Sequence, residues 1–408
     1  MRRIAIIDYS LFIYFYFMKV LLLGDYSNVH ATLAEGLRAL GHTVVVASDG
    51  DGWKDYPRDI DLKRPGRVGQ RTFRQRLLDA AYLVRLRWLF ATRLRGFDVV
   101  QLINPVFLPL RAERIWPYYE QLRRHNRQVF MAAYGMDHYW VKAGLDCKTF
   151  RYSDFNVGSN VRADLPENPI FIRDWLNGPK GTLNQRIAFD CDGIPAGLFE
   201  YWASYNRHLP QEHQHKLCYI PFPIQVEEHP VRESEAAVPE RVNFFIGIQR
   251  TRSAYKGTDI MLSALRRLQT RYPDHVVVTR VESVPFEEYK RLMNSSDVIL
   301  DQLYSYTPAM NALQAMSQGL VVVGGAEPEY YELQERGASS AEPPLRPIIN
   351  VQPNEDDVYR QLCWLVEHRD VLPRLKQESR AFVRRYHDHI HVAEQYVQFW
   401  TSKGALSE

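Results

Sequence analysis

The sequence predicts an α/β protein of two domains, each a parallel sheet clothed in helices. Three observations predict it. Short apolar, β-branched runs alternate with helical stretches, as buried parallel strands joined by right-handed crossovers do. The alternation occurs twice, from Met18 and again from Val242. Between the two lies "IPFPIQVEEHPVRESEAAVPERV", rich in Pro and Glu and without periodicity, which reads as a linker. At 408 residues the chain exceeds one ordinary core, and two domains of roughly 200 residues are the natural division.

In order, residues 1–17 read as an extension upstream of a start at Met18. Asp8 and Lys19 leave too few uninterrupted apolar residues for a spanning helix, and no cleavage site follows. The competing reading is a short membrane-adhering segment. The first domain, 18–225, carries strands at "KVLLLG", "TVVVAS", "DVVQLI" and "QVFMAAYG", with the helix "VHATLAEGLRAL" after the first. A linker is expected over 226–240 and a second domain over 241–385, with strands at "VNFFIGI", "HVVVTRV", "DVILDQL", "LVVVGG" and "PIINV". A polar, aromatic helix closes the chain over 386–408 and is expected to pack back toward the first domain.

Hydrophobic residues make up 46% and charged residues 24%, a globular composition. The net charge of +3 gives no global argument for nucleic acid. Cys147, Cys191, Cys218 and Cys363 show no metal-binding spacing and read as buried thiols of a reducing compartment, hence a cytoplasmic protein. From Lys63 to Arg95 ten Arg/Lys face a single acid, Asp79, and Leu77, Ala81, Val84 and Trp88 recur at helical spacing. Two readings stand: a surface helix with solvated arginines, or a cationic helix in peripheral contact with an anionic membrane surface.

The chemistry concentrates in "GIQRTRSAYKG", where a strand hands over to a helix. Backbone N–H groups and the helix dipole make that junction attractive to anions. Arg250 offers a planar fork, Lys256 a mobile point charge, and Gly257 a close backbone approach. In "YSYTPAMNALQAMSQGL", Thr307 as N-cap, Pro308 at the first helical position and Gly319 beyond the end predict a helix of about eleven residues. Two helix starts and these cations on one sheet edge suit a diphosphate. No aspartate pair with metal spacing accompanies them, so a metal-free site is expected. The spaced glycines of a dinucleotide fingerprint are missing from "GDYSNV".

These motifs resemble the retaining glycosyltransferases of the GT-B fold, family-4 type, over nearly all of the chain from Met18. "GIQRTRSAYKG" is similar to that family's Gly-Arg…Lys-Gly phosphate loop, with Arg250 and Lys256 in the catalytic positions. "QAMSQGLVVVGG" is similar to its Glu-Ala-Met segment. "VPFEEYKRLMNSSDVIL", with Glu288, resembles the stretch lining the nucleotide base. "IPFPIQ" matches the strand end before the interdomain linker, and "GDYSNVHATLAEGLRALGHTVVV" places Gly24 at the cleft. The resemblance implies two Rossmann-like domains facing across a cleft, transfer from a nucleotide-diphosphate sugar as co-substrate with retention, and no cofactor. The acceptor would be a saccharide or lipid-linked saccharide.

The sequence departs from the family where its Glu-x7-Glu pair would fall, on Tyr306 and Gln314. Gln314 retains hydrogen-bonding capacity toward a ribose, while Tyr306 supplies no carboxylate. Thr307 and Asn311 complete the expected donor-side set. Glu327, Glu329 and Glu332 of "GGAEPEYYEL" either replace the lost carboxylate or are solvated. On the acceptor side "AAYGMDHYW" offers Asp137 and His138, each also readable as an ordinary loop residue. "DCDGIPAGLFEYWASYNRHLP" either lines the acceptor groove or belongs to the core. A catalytically silent binding subunit is the alternative that the missing glutamates keep open.

Overall fold

The computed structural model describes residues 17–66, 72–226, 236–282, 284–336 and 343–404. The segment 1–16 and most of the expected linker lie outside the described residues. In the first domain β1 (Lys19–Leu23), β2 (Thr43–Ser48), β3 (Ile60–Asp61), β4 (Val99–Leu102) and β5 (Gln128–Met131) pair in parallel in the order β3-β2-β1-β4-β5. Val20 to Leu23, Val99, Val100 and Leu102 have no exposed surface, which is why these strands are apolar throughout. β3 is two residues long, too short to leave a pattern. The sheet continues past β5: Met131 N–H donates to the Gly193 carbonyl (3.1 Å) and Ala133 N–H to that of Pro195 (2.9 Å).

In the second domain β6 (Val242–Ile248), β7 (Val276–Glu282), β8 (Val298–Leu300), β9 (Val321–Gly324) and β10 (Ile349–Asn350) pair in parallel in the order β7-β6-β8-β9-β10. All five expected strands form. In each sheet the strand order reverses direction beside its first strand, between β1 and β4 and between β6 and β8. Ligands bind outside the carboxyl ends of strands at such a switch point. The loops leaving those four strands line one cavity, so the two sheets present these edges to each other.

The closing helix His389–Gly404 lies on the first domain. Val392, Ala393, Tyr396 and Trp400 share a core with Leu33, Ala34 and Leu37 of the helix Val29–Ala39. Gly36 permits this approach, since a Cβ there would stand 2.1 Å from the His389 carbonyl oxygen. The chain's two passages between domains are tied together. Ile224 N–H donates to the His387 carbonyl (2.7 Å), and His389 N–H to that of Ile224 (3.0 Å).

The basic segment forms the helix Phe73–Thr92, a surface helix of the first domain. Tyr82, Leu86, Leu89 and Phe90 face the core, whereas Leu77, Ala81, Val84 and Trp88 face solvent. Of the four free thiols only Cys191 is buried; the others are half-buried. Among the described residues no helix is long and apolar enough to cross a membrane.

Candidate functional site

After β6 the chain makes a 3-10 turn, Arg250–Arg252, and a short helix, Ser253–Lys256. Gly257 follows in the left-handed region (φ 69°) and starts the helix Thr258–Arg271. A Cβ on Gly257 would come within 2.9 Å of Leu303, so the position favours glycine for backbone and space alike. This turn sends the three cations in different directions. Arg250 points to solvent, its side chain 82% exposed, and pairs with Glu282 at the end of β7. Arg252 turns inward, 3.9 Å from Asp154 and 3.6 Å from Glu167, with its guanidinium over the Tyr255 ring. Arg252 and Lys256 line the cavity; Arg250 does not.

Beyond β8, Asp301, Ser305, Ala309, Met310 and Asn311 line the same cavity. The helix there is Met310–Ser317, eight residues rather than eleven, and its N-cap is Ala309. Thr307 does not cap it because its side chain is engaged elsewhere: its hydroxyl donates to Glu200 Oε2 (2.7 Å). The C-terminal expectation holds, with Gly319 (φ 80°) donating to the Met316 carbonyl and Leu320 to that of Ala315. Among the described residues the N–H groups of Met310 and Asn311 have no acceptor. Asn311 is held by Tyr289, whose hydroxyl donates to Oδ1 (3.0 Å), and itself donates to Asp301 (3.1 Å). Burial raises the Asp301 pKa, and the Lys256 charge and the Asn311 bond oppose the rise.

Glu200, at the first turn of the helix Phe199–His208, was not among the expected residues. Its carboxylate also accepts from Ser305 Oγ (2.9 Å), Tyr306 N–H and Thr307 N–H (3.0 Å), binding the first domain to the second-domain loop. An acid at a helix start inside the quoted aromatic run was the available signal. Tyr306 is sealed into the same interdomain seam. Its ring stacks on Phe199 (5.5 Å) and lies against Tyr152 (4.9 Å), and its hydroxyl accepts from Arg151 N–H (2.7 Å). Glu327 is buried rather than solvated: Arg151 (2.6 Å), Tyr152, Asn350 (3.1 Å) and Gln352 (2.8 Å) all donate to it. Glu329 pairs with Arg151 as well.

Other expected donor residues lie off the cavity wall. Glu288 pairs with Arg291 (2.6 Å), and it is the neighbouring Tyr289 that turns inward against Phe245. Gln314 donates to Ser317 (3.4 Å). On the first-domain side Gly24 (φ 82°) lies tight against Ile103, where a Cβ would be 2.3 Å from Cγ2, and brings Tyr26 and Ser27 to the cavity. Asp137 and His138 are not presented to it. Asp137 caps the helix His138–Leu145, accepting from Trp140 N–H (2.8 Å) and from the Tyr205 hydroxyl (2.8 Å). Burial pushes its pKa to about 6. His138 bonds the Trp175 carbonyl through Nδ1 (2.9 Å), and burial lowers its pKa. The cavity wall is reached instead by Gly135, Met136, Trp140, Trp175 and Tyr201.

The resulting cleft has a volume of about 740 Å³ and is lined by both domains. Its cations are largely neutralised. Lys54 pairs with Asp51 (2.6 Å), Lys180 with Asp174 (3.1 Å), and Arg252 with Asp154 and Glu167. Among the described residues, Lys256 is the cleft cation without a carboxylate in ion-pair range.

No family model matches the chain, and no curated protein matches it. Solved structures do. Sucrose-phosphate synthase from Thermosynechococcus elongatus superposes with a TM-score of 0.60 at 14% identity, over 95% of this chain and 100% of that one. The catalytic domain of starch synthase IV from Arabidopsis thaliana, bound to ADP and acarbose, gives 0.57 at 11% identity, over 95% and 99%. Anabaena Alr3699/HepE in complex with UDP-glucose gives 0.52 at 11%, over 94% and 100%. The chain has the GT-B fold. In this GT-B chain the interdomain cleft lies where the fold brings two switch points together. The helix Met310–Ser317 and Lys256 form its second-domain wall, and the aromatic side chains Trp140, Trp175 and Tyr201 part of the wall opposite.

Proposed function

We propose that the chain is a metal-independent glycosyltransferase that moves a sugar from a nucleotide-diphosphate donor to a saccharide acceptor with retention. One observation carries the reading: Lys256, with no carboxylate in ion-pair range among the described residues, lines the same cleft as the uncapped start of the Met310–Ser317 helix. A diphosphate satisfies both, since cations and helix starts each favour anions. Arg252 takes the part that the sequence pattern gave to Arg250. On this reading the same groups stabilise charge on the leaving diphosphate, which accepts the acceptor's proton. The aromatic first-domain wall offers apolar faces to a saccharide acceptor.

A thermal-shift screen against UDP, GDP and ADP tests the site, because ligand bound only to the folded state raises the melting temperature. One diphosphate is expected to stabilise the protein, and Lys256→Ala to abolish most of that rise. No shift with any of the three would remove the reading. The buried setting of Tyr306 favours a second reading, the catalytically silent subunit. Donor binding with neither transfer nor hydrolysis would support that one instead.

A further inference from the structure

We propose that the solvent face of the helix Phe73–Thr92 is a docking surface for an anionic lipid membrane. This helix has two apolar faces. One is buried through Tyr82, Leu86, Leu89 and Phe90. On the other, Phe73 is 76% exposed, Leu77 56%, Val84 66% and Trp88 55%. At 3.6 residues per turn these four fall within about 60° of arc, opposite the core face. Ala80, Ala81 and Ala91, also exposed, fill the same stripe. Scattered exposed apolar residues are ordinary, but a continuous stripe along a whole helix marks an interaction surface.

The charges select the occupant. Arg76 and Arg87 border one edge of the stripe and Arg74 and Arg85 the other, all exposed. Among the described residues none of these four makes an ion pair. Asp79, the acid of the helix, is already paired with Arg64 (2.7 Å). A second copy of the chain would set this surface against itself, arginine facing arginine. An anionic lipid surface matches both elements: the stripe enters the headgroup boundary and the arginines meet lipid phosphates. The helix then lies in the plane of the membrane.

The test is vesicle co-sedimentation of the full chain with phosphatidylcholine alone and with phosphatidylcholine mixed with phosphatidylglycerol. Wild type is expected to bind the mixed vesicles, and less so as salt rises. Leu77→Ser/Trp88→Ser should lower the bound fraction at least about tenfold, since each large apolar side chain withdrawn from water is worth that much or more. Arg76→Glu/Arg87→Glu should erase the preference for the anionic lipid. Brominated lipid should quench wild-type tryptophan fluorescence more than that of Trp88→Phe. All substituted side chains are exposed, so unchanged melting temperatures are expected and serve as the control. Absence of binding at low salt overturns the proposal, as does equal binding by wild type and both double variants. So does concentration-dependent self-association that Leu77→Ser/Trp88→Ser abolishes while vesicles remain unbound.

Discussion

Each domain sets the start of a helix at the cleft edge, and the two starts are finished differently. In the first domain Asp25 folds back over the helix Val29–Ala39 and accepts from the N–H groups of His30 (3.0 Å) and Ala31 (3.2 Å). Left-handed residues at Ser27 and Asn28 make that return possible. The positive end of this helix is therefore satisfied from within. In the second domain Ala309 is the N-cap of the helix that follows β8, and its methyl group accepts nothing. Two helix starts at the cleft edge, one after β1 and one after β8, thus differ: one is closed by its own chain and the other is left open. On the proposed function, the open one is the half that takes the diphosphate.

The largest expected effect comes from emptying the open site of its cation. Lys256→Ala should lower sugar transfer by roughly 10²–10³-fold, the usual loss when one preorganised donor to developing charge is removed. Steady-state rates with an unchanged melting curve would show it, and a loss below threefold would break the contrast between the two helix starts. Next in size is the closed site. Burial raises the Asp25 pKa from 3.8 to about 7, so the folded protein holds a proton that the unfolded chain releases at lower pH. That contribution to stability is fully present below about pH 4 and is lost as pH rises through about 7. Relative to Asp25→Asn, wild type should lose on the order of 2 kcal/mol between pH 5 and 8, read from denaturation midpoints. Parallel profiles would show that Asp25 is ionised throughout. The smallest effect separates neighbouring arginines. Arg250→Ala should leave diphosphate affinity within about twofold, whereas Arg252→Ala should weaken it about tenfold, as loss of a charged hydrogen bond does. The reverse order in a titration would restore the assignment read from sequence.

The strands were legible because strands buried on both faces must be apolar throughout, and β3 escaped because two residues carry no pattern. Lys256 and Asn311 were legible because type and position sufficed to bring them to a strand end. The direction of a side chain within a turn is a tertiary property. Arg250 and Arg252 are two residues apart, and only the 3-10 geometry, with Asp154 and Glu167 waiting in the first domain, decides which turns inward. Thr307 and Tyr306 could not be placed without Glu200, which lies over a hundred residues earlier and removes both from the helix start. Asp137 is a different case. An aspartate directly before a helical run is an N-cap pattern, and Trp140 N–H is the partner that pattern predicts.

The knot of hydrogen bonds joining Ile224 to His387 and His389 has a mechanical consequence. Two covalent crossings tied side by side behave as a strip that twists more readily than it shears. Rotation of one lobe against the other must therefore pivot at that strip, and any opening of the cleft has to part Glu200 from the Ser305–Thr307 loop. The aperture of the molecule is held by a clasp as well as by its axle.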